Sequence, residues 1–215
     1  MRDAQVPRAV VFDMDGVLID ARDWHYRALN DALEIFGAQI SLEDHLSRFN
    51  GLPTRVKLDM LSEAGIVPRH LHKVVEEVKQ ERTLREAARL CFPRVEHLLM
   101  MSWLRRQGCS IGVATNSIRQ TSSTMLEFAG LLHDLDVLVT NEDVANAKPA
   151  PDIYLMAASR LGVDPEEVLV VEDHPYGVAA AEAAGCLVVK VEGVADVTMA
   201  LLEPYFPVNV TGIHE

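Results

Sequence analysis

Short, unbroken apolar runs alternate along most of the chain with longer stretches whose apolar side chains recur every three or four residues. The runs fall at 9–12, 111–114, 137–139, 168–171 and 187–191 and are rich in valine. They predict strands buried on both faces, because neither face of such a strand needs polar side chains. The longer stretches predict helices over 95–107, 117–129, 151–161 and 175–184. Gly108, Gly130, Gly162 and Gly185 stand where those helices would stop, and Pro151 and Pro175 stand at first helical positions. Strands alternating with helices of this length predict right-handed βαβ units, hence an α/β fold around a parallel sheet covered on both faces.

Residues 20–91 break the rhythm and contain no strand pattern. Leu29, Ala32, Leu33 and Phe36 repeat at helical spacing and end at Gly37, Ser41-Leu42-Glu43-Asp44 resembles a capping box, and 56–64 and 68–90 read as further helices. The pattern predicts an all-helical cap domain, 20–91, inserted into a core made of 1–19 and 92–215. Crossings at 19–22 and 91–93 would let it hinge. No repeat or low-complexity segment occurs, and the tail 194–215 is assigned no element.

Composition narrows the function. A chain of 215 residues suffices for one core plus a small accessory domain. With 24% charged and 49% hydrophobic residues it has the balance of an ordinary globular protein. No apolar run approaches the ~20 residues of a membrane helix. The first eight residues, with Arg2, Asp3 and Arg8, lack the features of a signal peptide. A cytoplasmic protein with no membrane partner is the expectation. The three cysteines, Cys91, Cys109 and Cys186, are odd in number and widely spaced, which suits reduced packing residues. A net charge of −12 repels polyanions, so nucleic acid is not an expected partner. A small anionic molecule would need a local cationic site or a metal. Oligomeric state has no readable signature.

In open parallel sheets, ligands bind beyond the carboxyl ends of the strands. The first strand delivers Asp13-Met14-Asp15-Gly16 there, the second Thr115-Asn116-Ser117, the third leads through 141–146 to Lys148-Pro149, and the fourth delivers Glu172-Asp173. Two carboxylate clusters, a hydroxyl beside free amides, and a lysine make a phosphate and divalent-metal site. Mg²⁺ is hard, prefers oxygen ligands, and shares substrate phosphate oxygens. Asp13 is the candidate nucleophile. Asp15 is the candidate acid and base. Lys148 neutralises the phosphoryl group, Thr115 and Asn116 hold its oxygens, and Gly16 lets the loop turn its amides, with that of Met14, toward it.

These motifs, Asp13-x-Asp15-Gly16, Thr115-Asn116-Ser117, Lys148-Pro149 and Glu172-Asp173, resemble in order and spacing those of the haloacid dehalogenase (HAD) superfamily. The resemblance runs over nearly the whole chain, and the insertion after the first motif is similar to that of the helical-cap subfamily. It implies a Rossmann-like core, Mg²⁺, and transfer through a phospho-aspartate. Asp13 and Asp173 would ligate the metal by side chain, Asp15 by its carbonyl, and Glu172 would lie at or just behind the ligands. The second aspartate, Asp15, separates this chain from the metal-free dehalogenases. Within the phosphoryl-transfer branch it looks most like sugar-phosphate phosphatases and β-phosphoglucomutase.

The expected reaction is Mg²⁺-dependent hydrolysis of a small phosphomonoester, a sugar phosphate or the ester of another polar alcohol. Specificity is expected from the cap, with His25, Asn50 and Arg55 as substrate-binding candidates, and Arg119 is a further candidate beside the second motif. The run 76–89, mixed in sign, reads as a solvated helix face. One alternative is a phosphomutase. Ala21 and the sequence Thr115-Asn116-Ser117-Ile118-Arg119 depart from the mutase pattern. A second alternative is a catalytically silent binding or regulatory module.

Overall fold

The computed structural model describes residues 6–207. Each predicted strand forms: β1 (Ala9–Phe12), β2 (Ser110–Thr115), β3 (Val137–Thr140), β4 (Val168–Glu172) and β5 (Leu187–Lys190). All pair in parallel in the order β3-β2-β1-β4-β5. Phe12 lies opposite both Val113 and Val171, and Thr115 opposite Thr140, so the strands end nearly level. The chain order reverses at β1, whose neighbours are β2 on one side and β4 on the other. A crevice therefore opens above β1, where the loops leave in opposite directions.

The helices are α1 (Arg22–Glu34), α2 (Leu42–Asp44), α3 (Thr54–Glu63), α4 (His72–Leu90), α5 (Val95–Arg106), α6 (Arg119–Phe128), α7 (Asp152–Leu161), α8 (Pro175–Ala184) and α9 (Met199–Leu202). Strand periodicity sorts the core residues between two faces. Val10 and Phe12 pack with Met100, Met101, Leu104 and Met125 on one side. Ala9 and Val11 pack with Ile153, Tyr154, Ala157 and Ala181 on the other. All are buried, and each large side chain so placed contributes about 1.5–3 kcal/mol. The tail joins the first face through Val197, Leu202 and Phe206, whose ring meets Trp103 edge-on at 5.2 Å. Residues 208–215 of the predicted tail lie outside the described residues.

The segment from α1 to α4 is all helical, forms a cap, and owns a separate core of Leu29, Leu33, Phe49, Leu58, Leu61 and Val75. Ser41 caps α2 through the amide of Asp44, but its hydroxyl also donates to the Asp44 carboxylate, so the reciprocal backbone bond of a capping box is replaced by a side-chain bond. α2 then runs into a π-helical turn, His45–Phe49. The stretch 68–90 divides into a 3₁₀ turn, Arg69–Leu71, and α4. α6 starts two residues later than its pattern suggests, because the Ser117 amide donates to the Thr115 hydroxyl and holds that residue in the strand-end loop. All three cysteines are free and buried. No helix among the described residues is long and apolar enough to cross a membrane.

Leu33 is fully buried in the cap core. Leu33→Ala is expected to lower unfolding stability by about 2–5 kcal/mol, read from urea titration, as a truncated core leucine does. A loss under about 1 kcal/mol would contradict the packing described.

Candidate active site

Four polar turns meet above β1 and line a cavity of about 1090 Å³ with the cap as its roof. Asp13 follows β1 directly and is buried beside Lys148, whose Nζ lies 2.6 Å from Asp13 Oδ1 and 2.5 Å from Glu172 Oε1. The same ammonium donates to the Ala114 carbonyl at 2.9 Å, which uses its third proton. Burial alone would neutralise Lys148, but Asp13 and Glu172 outweigh it and raise its pKa. For Asp13, burial dominates and pushes the carboxyl well above its ordinary range; Lys148 opposes, while Glu172, Asp173 and Asp15 add to it.

Glu172 is fixed from every side. Tyr154 donates to Oε1 at 2.7 Å, and the amides of Asp173 and His174 donate to Oε2 at 3.1 and 3.2 Å. Burial, then Glu172, pushes the Tyr154 phenol well up, so it remains a donor. Gly177 on α8 must lack a side chain, since a Cβ there would overlap the Glu172 carboxylate. His174 caps α8 by accepting from the Tyr176 amide, and Pro175 occupies the first turn.

Ligand atoms of Asp13, Glu172 and Asp173 lie within 4.8 Å of one another. Asp173 Oδ1 is buried with no hydrogen-bond partner among the described residues. Burial and Glu172 push its carboxyl up to about 6, against Arg22, which sits 3.8 Å away. An orphaned oxygen among mutually repelling carboxylates suits a hard divalent cation. Gly16, at φ 99°, passes close over this spot, and a Cβ there would overlap Asp173.

Asp15 points elsewhere. Its carboxylate takes bonds from the Ser117 hydroxyl at 2.9 Å and from His25 Nε2 at 3.0 Å, and Lys79 Nζ lies 3.4 Å from His25 Nδ1. An ammonium can only donate, so Nδ1 accepts and Nε2–H donates to Asp15. Burial works against the Asp15 anion, yet His25, Ser117 and Lys79 together hold its pKa below the ordinary range.

The predicted residues separate by role. Thr115 and Asn116 line the cavity with Lys148, while the Asn116 side chain also ties the site together. Its Oδ1 accepts from the Lys148 amide at 3.1 Å and its Nδ2 donates to the Gly51 carbonyl of the cap at 2.8 Å. His25, Asn50 and Arg55 line the roof. The Met14 side chain lies in the core, fully buried, and lines no part of the cavity. Arg119 pairs with Asp143 away from the main cavity. The run 76–89 differs from its expected solvated face: Glu76, Lys79 and Gln80 line the cavity, because α4 packs along α1 and against α6. Lys57, Lys79, His45 and Tyr154 carry no pattern that marks them in the sequence. For Lys57 the available signal is its place next to Leu58, on the inward face of α3.

A family profile described as haloacid dehalogenase-like hydrolase matches residues 10–191. Fructose-1-phosphate phosphatase YqaB of Escherichia coli is 32% identical over 179 residues, covering 82% of this chain and 92% of that protein. A phosphorylated carbohydrates phosphatase of Thermotoga maritima is 33% identical over 177 residues, 82% of this chain and 81% of that one. The crystal structure of β-phosphoglucomutase from Clostridium difficile superposes with a TM-score of 0.81 at 19% identity, covering 93% of this chain and 97% of that one, a likeness of fold alone.

Burial, with Lys79 adding and Asp15 opposing, pulls the Lys57 pKa from 10.5 to about 7. The unfolded chain therefore binds this proton more strongly, and the cost of burying the ammonium is fully present below pH 7 and disappears as pH rises toward 10.5. Lys57→Met is expected to raise unfolding stability at pH 6 by about 1–4 kcal/mol and by much less at pH 9.5, measured by denaturant titration. A variant that is less stable at pH 6 would contradict this.

Proposed function

The chain belongs to the haloacid dehalogenase-like hydrolase family, and on that premise we propose that it is a phosphatase that hydrolyses a small phosphomonoester, a sugar phosphate in the first instance, through a phosphorylated Asp13. The observation that carries this reading is the buried trio of Lys148, Asp13 and Glu172 at the floor of a capped cavity. We take the cap as 20–91 and the core as 1–19 with 92–215.

Lys148 holds one oxygen of Asp13 and leaves Oδ2 without a protein partner among the described residues, free to attack phosphorus. Attack forms the Asp13–phosphorus bond and breaks the bond to the alcohol oxygen. That oxygen takes a proton that passes from Lys79 to His25 Nδ1 and from His25 Nε2 through the Asp15 carboxylate, which is left as an anion again. Lys79 is suited to feeding that relay, since burial pulls its pKa down to about 8 while Asp15 and Glu76 oppose. Water then attacks the phosphorus, Asp15 takes its proton, and the Asp13 carboxylate leaves. Asp13 and Asp173 by side chain, Asp15 by its carbonyl and Glu172 behind them would hold Mg²⁺. When bound, the ion would supply positive charge that keeps Asp13 ionised and neutralises the phosphoryl oxygens. Thr115, Asn116 and Lys148 bind the phosphoryl group, and Met14 contributes through its backbone only. The closed cap, tied at Asn116 and Gly51, excludes bulk water.

The phosphatase names carried by the relatives favour hydrolysis over the phosphomutase alternative, and a silent binding module would have no use for a nucleophile held in this way. Phosphate release from a panel of sugar phosphates is expected to need Mg²⁺, to stop with EDTA, to fall at least ~10³-fold in Asp13→Asn, and to fall ~10²-fold or more in Lys148→Met, the scale for loss of one charged transition-state contact. Metal-independent release, or full activity in Asp13→Asn, would refute the mechanism. Isomerisation of a hexose 1-phosphate in place of release would replace the phosphatase with the mutase.

A further inference from the structure

The cation position on the floor has a positively charged neighbour that the chemistry does not use. Arg22 is the first residue of α1, so it belongs to the cap. Its Nη1 lies 3.8 Å from Asp173 Oδ2, on a carboxylate that is 5% exposed. Its Nη2 donates to the Glu192 carbonyl at 3.4 Å, and a Cβ at Gly193 would meet the same nitrogen at 3.6 Å. The loop after β5 therefore holds the guanidinium from the other side. That loop is itself braced, since the Glu192 amide donates to Asp196 Oδ2 at 3.0 Å. Arg22 also lines the cavity.

Helix stability does not explain an arginine at this place. The positive end of the macrodipole lies at a helix N-terminus and disfavours a cation in the first turn. No side chain caps α1, and its first turn holds Asp23, the charge that suits it. Among the described residues the ion pair of Arg22 is with Asp173, not Asp23. Lys148 cannot serve Asp173, because its three protons go to Asp13, Glu172 and the Ala114 carbonyl. Arg22 eases Asp173 instead, and favours its ionised form against burial and Glu172. A divalent cation held by Asp13 and Asp173 would face the guanidinium across one carboxylate, and like charges at that range repel.

We propose that Arg22 is a built-in competitor of the metal: it partly neutralises Asp173 in the metal-free protein and weakens the divalent cation that binds there, so that a residue of the cap sets the metal affinity of the core. This rests on the reading of the floor as the cation site and adds what tunes it. Arg22 acts through Asp173 and takes no part in phosphoryl transfer. One charge has two opposite effects, since it supports the fold without metal and lowers the gain when metal binds. Charge carries the effect, so lysine replaces arginine here and a neutral residue does not.

The test is calorimetric titration of the metal-free protein with MgCl₂ at fixed pH and ionic strength. Arg22→Gln is expected to bind Mg²⁺ about tenfold more tightly, the scale for removing one like charge a few ångströms from the ion in a screened site. Arg22→Lys should return most of the way to the unaltered protein. Arg106→Gln changes the net charge equally at a side chain bonded to Ser102, far from the floor, and should leave the affinity as it is. Thermal melting gives a second readout. Mg²⁺ should raise the Tm of Arg22→Gln by more than that of the unaltered protein, whereas loss of a merely structural contact would lower both curves alike. Unchanged or weaker Mg²⁺ binding in Arg22→Gln, equal tightening in Arg106→Gln, or an identical Mg²⁺ shift in Tm would overturn the competitor. Absence of Mg²⁺ binding to every form would overturn the competitor and the cation site together. Binding that is lost in Asp173→Asn yet unchanged in Arg22→Gln would keep the cation site and remove the competitor alone.

Discussion

Two buried carboxylates, Asp13 and Glu172, share one buried ammonium, and much of the site is arranged to keep that trio intact. An ammonium with three protons and two counterions needs one further acceptor, which the Ala114 carbonyl at the end of β2 supplies. A carboxylate trapped as deeply as Glu172 needs donors on both oxygens, which Tyr154 from α7 and two amides at the start of α8 supply. The same crowding forbids a side chain at Gly177. Breaking such a cluster on one side would leave an uncompensated buried charge, at a cost of about 3–5 kcal/mol. The local sequence of α7 and α8 therefore follows from the charge placed at the end of β4.

The floor and the roof of the cavity are lined differently. Below, carboxylates outnumber the lysine, Asp173 keeps a bare oxygen, and positive charge is wanted. Above, Lys57, Lys79 and Arg55 line the roof, with Glu76 and Glu77 beside them. Asp15 stands between the two, bonded to the core through Ser117 and to the cap through His25. With the Asn116 bond to Gly51, these contacts make closure and catalytic geometry the same event.

The core was legible in the sequence because a doubly buried parallel strand has an unambiguous signature, an apolar run ended by a polar turn. Asp13, Thr115 and Glu172 were found for the same reason: each interrupts such a run at the level where strands in register must end together. The cap was legible as helices but not as chemistry. Lys57 and Lys79 look like any surface lysines in one dimension, and only the packing of α4 along α1 turns Lys79 inward. His45 gave no signal because its π-helical turn has no periodicity to detect. Tyr154 reads as one more apolar position of α7, and its hydroxyl acquires meaning only once Glu172 is beside it. Side chains that act across the core–cap seam depend on tertiary contact, which spacing along the chain does not encode.

The central claim is that Asp13 itself receives the phosphoryl group. Acid quenching during turnover of the best substrate, reduction with borohydride and peptide mass spectrometry tests it directly, since an acyl phosphate at an aspartate is reduced to homoserine. The account expects homoserine at position 13 in a substrate- and metal-dependent amount, and at no other carboxylate. Steady phosphate release with residue 13 recovered as unmodified aspartate, or reduction at Asp15 or Asp173 instead, would contradict it.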